Sequence, residues 1–88
     1  MHILPVQPSR AGKKEFFTGL VYIDEITQDV YSGIRVNAVR FSPGARTAWH
    51  SHAEGQTLHV TEGVGRAQAR GGEITTVRPG DTVYTPPG

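Results

Sequence analysis

The stretch Gly44-Ala-Arg-Thr-Ala-Trp-His50-Ser-His52-Ala-Glu-Gly-Gln56 decides how this chain is interpreted. It predicts a strand that carries two imidazoles, and because side chains alternate across a strand, His50 and His52 point to the same side. Gln56 follows as a third donor, beyond the chain-bending Glu54-Gly55. Two histidines at i and i+2 with one further donor can cover one side of a divalent transition-metal ion and leave positions open for a substrate. We therefore predict a metal site on His50, His52 and Gln56.

The composition limits the class of protein. The 88 residues contain 9 basic and 8 acidic side chains, and the net charge of +1 argues against nucleic acid or an anionic membrane as a partner. The absence of cysteine excludes disulfides and thiolate metal sites, which leaves His, Gln, Asp and Glu as ligands. The sequence has no stretch of transmembrane length and no signal-peptide pattern at its N-terminus. We expect a cytoplasmic protein with one small domain.

Glycines and prolines, 11 and 6 in number, are spread along the chain and predict short elements joined by turns. Residues 1–15 are predicted to form an irregular arm and residues 16–88 an antiparallel β-domain. Residues 24–33 have no clear pattern, and Gly71-Gly72 predicts a two-residue hairpin loop. Aromatic, β-branched or alternating segments predict strands over residues 16–23, 34–41, 46–52, 56–61, 65–70, 73–78 and 82–85. This spacing is typical of a small antiparallel sandwich or barrel, so the expected fold class is all-β.

The predicted turns and donors resemble the two sequence blocks of the cupin superfamily. The first block consists of glycine, His-x-His, glutamate and glycine; Gly44, His50, His52 and Gly63 match it, and Gln56 stands at the position of the glutamate. The second block is matched by Gly80 and Pro86-Pro87-Gly88, and the chain reaches Gly88 three positions before the histidine that this block would supply. The resemblance implies a small antiparallel cupin barrel, or jelly roll, whose C-terminal strands are missing.

A longer run, Phe41-Ser-Pro-Gly-Ala-Arg-Thr-Ala-Trp-His-Ser-His52 with Gly55-Gln-Thr-Leu58, is similar to a narrower group of small bacterial cupins. That group includes manganese-dependent (R)-selective hydroxynitrile lyases, and in it a glutamine replaces the usual glutamate, as Gln56 does here. The resemblance implies a carbon–carbon lyase of small aromatic cyanohydrins in the intact protein, with little activity from the 88-residue chain. It also implies manganese as the metal, and nickel, iron or zinc would fit the same ligands.

Other interpretations of the same residues stay open. The protein could be a non-catalytic cupin that binds a small molecule with its metal, or a metal-dependent oxygenase of small organic acids. The neutral amide of Gln56 disfavours the oxygenase, because it leaves the charge of the ion uncompensated. His-x-His is also compatible with two incidental histidines, and Gln56 with a solvated loop amide. His59, on the opposite face from Gln56, is predicted to be a surface or sheet-packing histidine.

The substrate pocket is less well defined by the sequence than the metal site. Asn37 and Val39 share one face of the preceding predicted strand and, with Thr47, are candidate pocket residues; ordinary strand packing explains them as well. The sequence does not identify a catalytic residue, and His52 is the candidate for moving a proton. The expected partners are a small-molecule substrate and further copies of the chain, because exposed strand edges in so small a domain favour a homodimer or higher homo-oligomer.

Overall fold

The computed structural model describes residues 1–27 and 33–88, which contain short β-strands and no helix. No element of these residues has the helical length and apolar character needed to cross a membrane. All strand pairs are antiparallel. The chain divides into two units, Met1–His50 and Ser51–Gly88. The strands are β1 (Arg10–Ala11), β2 (Phe17–Thr18), β3 (Val21–Glu25), β4 (Asn37–Phe41), β5 (Arg46–Thr47), β6 (Gln56–His59), β7 (Gly65–Ala67), β8 (Thr75–Val77) and β9 (Thr82–Thr85).

The core of the first unit lies on one face of β3, the central strand of the sheet β1-β3-β4. Alternation along this strand turns Val21 and Ile23 inward, where they are 2% and 8% exposed, while Tyr22 on the other face is exposed. Across the ladder, Val21 pairs with Phe41 and Ile23 with Val39. The β-branched residues of β3 therefore supply the apolar centre around which this unit is built.

The predicted strand over residues 16–23 is two strands in the structure. β2 pairs with β5, while β3 pairs with β1 and β4, so the chain changes sheets at Gly19-Leu20. The two sheets meet through aromatic side chains: the rings of Phe17 and Phe41 lie 6.2 Å apart between centroids at an angle of 67°. This edge-to-face geometry is one that aromatic pairs prefer.

The predicted N-terminal arm, residues 1–15, contains β1, in which Arg10 lies opposite Ile23. The arm therefore joins the first sheet, and its boundary at residue 15 stays a prediction. A solvent-open groove of about 420 Å³ lies where the arm passes the end of β3. It is lined by Leu4, Pro5, Val6, Gln7, Ser9, Asp24, Glu25 and Ile26.

A polar cluster on the surface ties the arm to β3 and β4. The Ser9 hydroxyl donates to the Asp24 carboxylate, and Nη2 of Arg40 donates to the Ser9 oxygen at 3.0 Å. Nε of Arg40 lies 3.3 Å from Oδ2 of Asp24, and its guanidinium lies 5.6 Å from the centre of the Tyr22 ring. The Ser9 hydrogen bond is the largest effect on the pKa of Asp24 and lowers it; desolvation opposes this, and the hydrogen bond and charge of Arg40 add smaller lowering effects, so the net direction is down.

Residues 24–33, which show no clear sequence pattern, begin with the last two residues of β3. Thr27 then closes the connection to β4: its hydroxyl accepts the N–H of Val36 at 2.9 Å and donates to the carbonyl of Ile34 at 3.0 Å. Residues 28–32 lie outside the described part of the chain.

The second unit consists of two antiparallel pairs, one nested within the other along the chain. β7 and β8 form the inner pair, in which Ala67 lies opposite Thr75. β6 and β9 form the outer pair, in which Gln56 lies opposite Thr85 and His59 opposite Thr82. The prediction of a strand over residues 82–85 is confirmed by β9.

The predicted two-residue loop at Gly71-Gly72 is wrong. β7 ends at Ala67 and β8 begins at Thr75, so residues 68–74 all belong to the connection. Within it a turn is closed by the N–H of Gly72 donating to the carbonyl of Ala69 at 2.9 Å, and Nε2 of Gln68 donates to the Gly72 carbonyl at 3.0 Å. These local hydrogen bonds satisfy loop backbone that a longer ladder would otherwise have paired.

Candidate metal site

The two histidines of the opening stretch do not lie on a strand, and the prediction of a strand over residues 46–52 is wrong beyond Thr47. β5 ends there, and its partner β2 is likewise two residues long. One further backbone hydrogen bond, from Ala48 N–H to the Phe16 carbonyl at 2.7 Å, extends the pairing. His50 and His52 follow in irregular backbone.

The imidazole of His50 is oriented by its own chain. Its Nδ1 lies 2.8 Å from the carbonyl oxygen of Ala48. A carbonyl oxygen only accepts hydrogen bonds, so Nδ1 carries the proton, and in the neutral ring Nε2 carries the lone pair. Metal-binding histidines are commonly held in this way, with the second ring nitrogen donating to a carbonyl. The geometry therefore suits His50 to bind an ion through Nε2.

The backbone of His52 is fixed by hydrogen bonds to its carbonyl oxygen. Its carbonyl oxygen accepts two hydrogen bonds, one from the N–H of Gly55 and one from the N–H of Gly88, both at 3.2 Å. The first closes the turn that follows His52, and the second joins this turn to the end of the described chain. Since a carbonyl oxygen has two lone pairs, both bonds can form together.

Gln56 is the first residue of β6 and is half-buried opposite Thr85. His52 and Gln56 belong to the second unit, whereas His50 is the last residue of the first. Among residues 1–27 and 33–88, no three His, Cys, Asp or Glu side chains are grouped as a metal site. The predicted set of ligands differs from such a group, because its third donor is the amide of Gln56. That His50, His52 and Gln56 meet on one ion stays a prediction.

The candidate pocket residues lie on two strands of the first unit. Asn37 begins β4 opposite Glu25, and Val39 lies opposite Ile23 with 40% of its surface exposed. Thr47 ends β5 and is exposed. None of the three lines the groove beside the N-terminal arm. Their role in a pocket stays a prediction.

His59 is an exposed side chain of the outer strand pair, and its predicted surface position is confirmed. Its Nδ1 lies 2.8 Å from the hydroxyl oxygen of Thr82, its partner in the ladder. This cross-strand hydrogen bond gives His59 a structural explanation that needs no metal.

Gly55, which the sequence indicates only as a bend, also allows two backbone segments to approach closely. A Cβ built on Gly55 would lie 2.8 Å from the Thr85 carbonyl oxygen and 3.3 Å from Cδ of Pro87. The only sequence signal was a glycine directly before Gln56, since nothing in the sequence pairs it with a proline 32 positions later.

Comparison with known proteins agrees with this architecture. Residues 37–88, more than half of the chain, match the cupin domain family, and the chain belongs to that family. It is 48% identical over 83 residues to (R)-mandelonitrile lyase of Granulicella tundricola, a match that covers 93% of this chain and 63% of that protein. It is 33% identical over 69 residues to Gentisate 1,2 dioxygenase 1 of Aquipseudomonas alcaligenes, covering 78% of this chain and 19% of that protein.

A solved structure supports the fold. The crystal structure of a cupin-like protein from Thermotoga maritima superposes with a TM-score of 0.82 at 44% identity, covering 88% of this chain and 59% of that one. The predicted all-β cupin fold is thus confirmed. The chain spans 63% of the length of the lyase relative and 59% of the solved chain. Members of the cupin family typically bind a metal ion.

Proposed function

We propose that this chain is the metal-binding part of a carbon–carbon lyase that acts on small aromatic cyanohydrins such as (R)-mandelonitrile. The observation that carries the proposal is the identity of 48% over 83 residues to a protein named (R)-mandelonitrile lyase. Because that match covers 93% of the chain, it includes the stretch with His50, His52 and Gln56.

The proposed ligands are His50 through Nε2, the imidazole of His52 and the side-chain oxygen of Gln56. Two imidazoles and one amide oxygen suit manganese, and also nickel, iron or zinc, and we propose manganese. The hydrogen bond from His50 Nδ1 to Ala48 supports this set, because it directs the lone pair to Nε2. When bound, the ion would act as a Lewis acid that stabilises negative charge on a substrate oxygen. Gln56 is neutral and leaves the charge of the ion undiminished.

The reaction also needs a proton carrier. In cleavage, the cyanohydrin hydroxyl loses its proton, the bond between the carbinol and nitrile carbons breaks with its electrons passing to cyanide, and cyanide takes up a proton. His52 is the candidate to move this proton. One imidazole nitrogen cannot both bind the ion and accept the proton, because each role uses the same lone pair. His52 is therefore either a ligand or the base.

The test uses the whole protein that the gene encodes, loaded with Mn²⁺, and follows benzaldehyde release from (R)- and (S)-mandelonitrile. We expect faster release from the (R) enantiomer and none after metal removal. Since the chain spans 63% of the lyase relative, the 88-residue chain by itself is expected to give little release. Release no greater than in the metal-free control would contradict the lyase and favour a metal-dependent binding protein.

The variant His52→Ala separates the two roles of that residue. If His52 is a ligand, the variant loses both bound metal and turnover. If it is the base, the variant retains bound metal and loses turnover. Elemental analysis of the purified protein, run beside the benzaldehyde assay, distinguishes these outcomes.

A second candidate function is oxygen-dependent cleavage of a small organic acid. The identity of 33% over 69 residues to Gentisate 1,2 dioxygenase 1 favours it, although that match covers 19% of the dioxygenase. The neutral Gln56 favours the lyase. Oxygen uptake by the iron-loaded protein with gentisate, in the absence of cyanohydrin activity, would replace the lyase by the oxygenase.

We also propose that the protein is a homodimer or higher homo-oligomer. Large apolar side chains on the strands of both units remain exposed: Val39 40%, Phe41 48%, Leu58 45% and Tyr84 65%. Burial of such surface against another copy would be favourable. Light scattering at micromolar concentration measures the mass, and a stable monomer would contradict the proposal.

A further inference from the structure

The segment after β9 returns to the turn that follows His52. Beyond Thr85 the chain reads Pro86-Pro87-Gly88, and proline has no backbone N–H to donate. Gly88 is therefore the first residue after Thr85 that can continue the backbone hydrogen bonding, and its N–H reaches the His52 carbonyl at 3.2 Å. The end of the described chain is thereby attached to the backbone of a predicted metal ligand.

This attachment depends on close approach of two backbones at Gly55. A Cβ on Gly55 would lie 2.8 Å from the Thr85 carbonyl oxygen, closer than real Cβ contacts, and 3.3 Å from both N and Cδ of Pro87. The obstructing oxygen is main chain and cannot rotate away. Gly55 also has a φ of +83°, in the left-handed region that side chains disfavour. Both the close contact and the positive φ therefore favour glycine at position 55.

We infer that Gly55 is a positioning residue for His52, an inference that rests on the proposed metal site. Lacking a side chain, Gly55 lets the segment from Thr85 to Gly88 lie against the turn, and Gly88 then fixes the His52 carbonyl from the second side. A side chain at position 55 would displace Thr85 and Pro87 and break the bond from Gly88. The backbone of His52 would then be held by the turn alone, and its imidazole would be less well placed for the ion.

The chain offers a matched control at Gly71, in the loop between β7 and β8. Gly71 has a φ of +78°, close to that of Gly55, but nothing lies within 4 Å of a Cβ built on it. Gly55→Ala and Gly71→Ala therefore impose similar backbone strain, and only the first also obstructs a neighbouring segment. A difference in metal binding between the two variants is therefore due to the contact with Thr85 and Pro87 and not to backbone strain.

The experiment measures two quantities on the wild-type chain and both variants. Titration with Mn²⁺ alone gives the dissociation constant. The nuclear Overhauser effect between the Gly55 α-protons and the Pro87 δ-protons, recorded without metal, reports whether the segment is in place. We expect Gly55→Ala to weaken Mn²⁺ binding by about 10-fold or more and to lose the contact between residues 55 and 87, and Gly71→Ala to keep both.

Each outcome has a separate meaning. If Gly55→Ala binds Mn²⁺ as the Gly71→Ala control does, the inference is overturned. If the wild-type chain binds no Mn²⁺ while Gly55→Ala loses the contact, the proposed metal site fails, and with it the role of Gly55 in positioning a ligand. If Gly55→Ala does not fold, Gly88→Pro decides, because it removes the N–H that reaches the His52 carbonyl and leaves residue 55 unchanged. Weaker Mn²⁺ binding at unchanged thermal stability supports the inference, and unchanged binding overturns it.

Discussion

His50 Nδ1 and the carbonyl oxygen of Ala48 lie 2.8 Å apart, two residues from one another in the same chain. The tautomer of a proposed metal ligand is thus set by its own local backbone. In metal sites generally, the second ring nitrogen of a histidine donates to a carboxylate, a backbone carbonyl or a water. The orientation of the His50 ring therefore depends only on the conformation of the segment from Ala48 to His50.

Replacing His50 by alanine is expected to weaken Mn²⁺ binding by more than about 100-fold, since even changes that only disturb a ligand's orientation cost about 10- to 100-fold. Binding should also weaken at acid pH, because protons compete for the imidazole nitrogens. Elemental analysis and isothermal titration measure the loss. His59→Ala is the matched control, because it removes an exposed histidine that bonds Thr82. If both variants lose Mn²⁺ binding equally, His50 is not a specific ligand.

Gln56→Glu is expected to tighten metal binding and to slow cyanohydrin cleavage. A carboxylate adds a negative charge next to the ion, which strengthens attraction and weakens the Lewis acid. Glutamate is almost the same size as glutamine, and residue 56 keeps its position opposite Thr85. Gln56→Ala, which removes the donor, should weaken binding instead. Metal titration and benzaldehyde release on the same samples check both effects, and a variant that binds metal no more tightly than wild type speaks against Gln56 as a ligand.

The surface cluster of Ser9, Asp24 and Arg40 predicts a stability change at acid pH. Its interactions, the Ser9 hydrogen bond above all, lower the pKa of Asp24 from its usual value in the folded chain. A carboxyl whose pKa is lower in the folded than in the unfolded state stabilises the fold above its unfolded pKa, and this contribution is lost as the pH falls through the folded pKa. Asp24→Asn should therefore flatten the decline of Tm below about pH 5. Glu62→Gln, which also removes one carboxylate, is the control, and equal slopes in both variants would exclude the cluster as the cause.

Val21→Ala is expected to lower the free energy of unfolding by about 1.5 to 2.5 kcal/mol, from lost apolar burial and the cavity that remains. Val21 is 2% exposed, whereas Val64 in the second unit is 69% exposed. The same substitution at Val64 should change stability by about 0.5 kcal/mol or less. Chemical denaturation of both variants gives the comparison. A similar cost at the two positions would mean that β3 does not carry the core.

Local patterns in the sequence were sufficient for β9 and for the start of β3. The β-branched residues Val21 and Ile23 predicted the first part of β3, within a single strand over residues 16–23, and the run Thr82–Thr85 between a turn and two prolines predicted β9. The all-β fold class was predicted from the spacing of strand-like segments and turns, and the family from the resemblance of the glycine and histidine blocks to cupins. Each of these features could be predicted because it depends on the sequence of its own segment and not on a pairing partner.

The errors concern features that depend on a partner. Residues 46–52 have a strand-like sequence, but only Arg46 and Thr47 pair with β2, and the sequence of residues 46–52 does not show how many residues a partner will pair. The loop around Gly71 is longer than two residues because ladder pairing stops at Ala67 and Thr75. The approach of Gly55 to Thr85 joins residues far apart in the chain and has no local signature. Pairing length and backbone contact are decided by both segments together.

The nesting of β7–β8 inside β6–β9 has a kinetic consequence. The inner pair closes a short loop, whereas the outer pair must bring together segments more distant in sequence, at a greater entropic cost. We expect the second unit to assemble from the inside outward, so that Gly88 meets His52 in the last step. The same order in reverse makes this junction the first to open in native-state fluctuations. We therefore expect the His52 carbonyl to lose its hydrogen bond from Gly88 transiently while the hairpin β7–β8 stays folded.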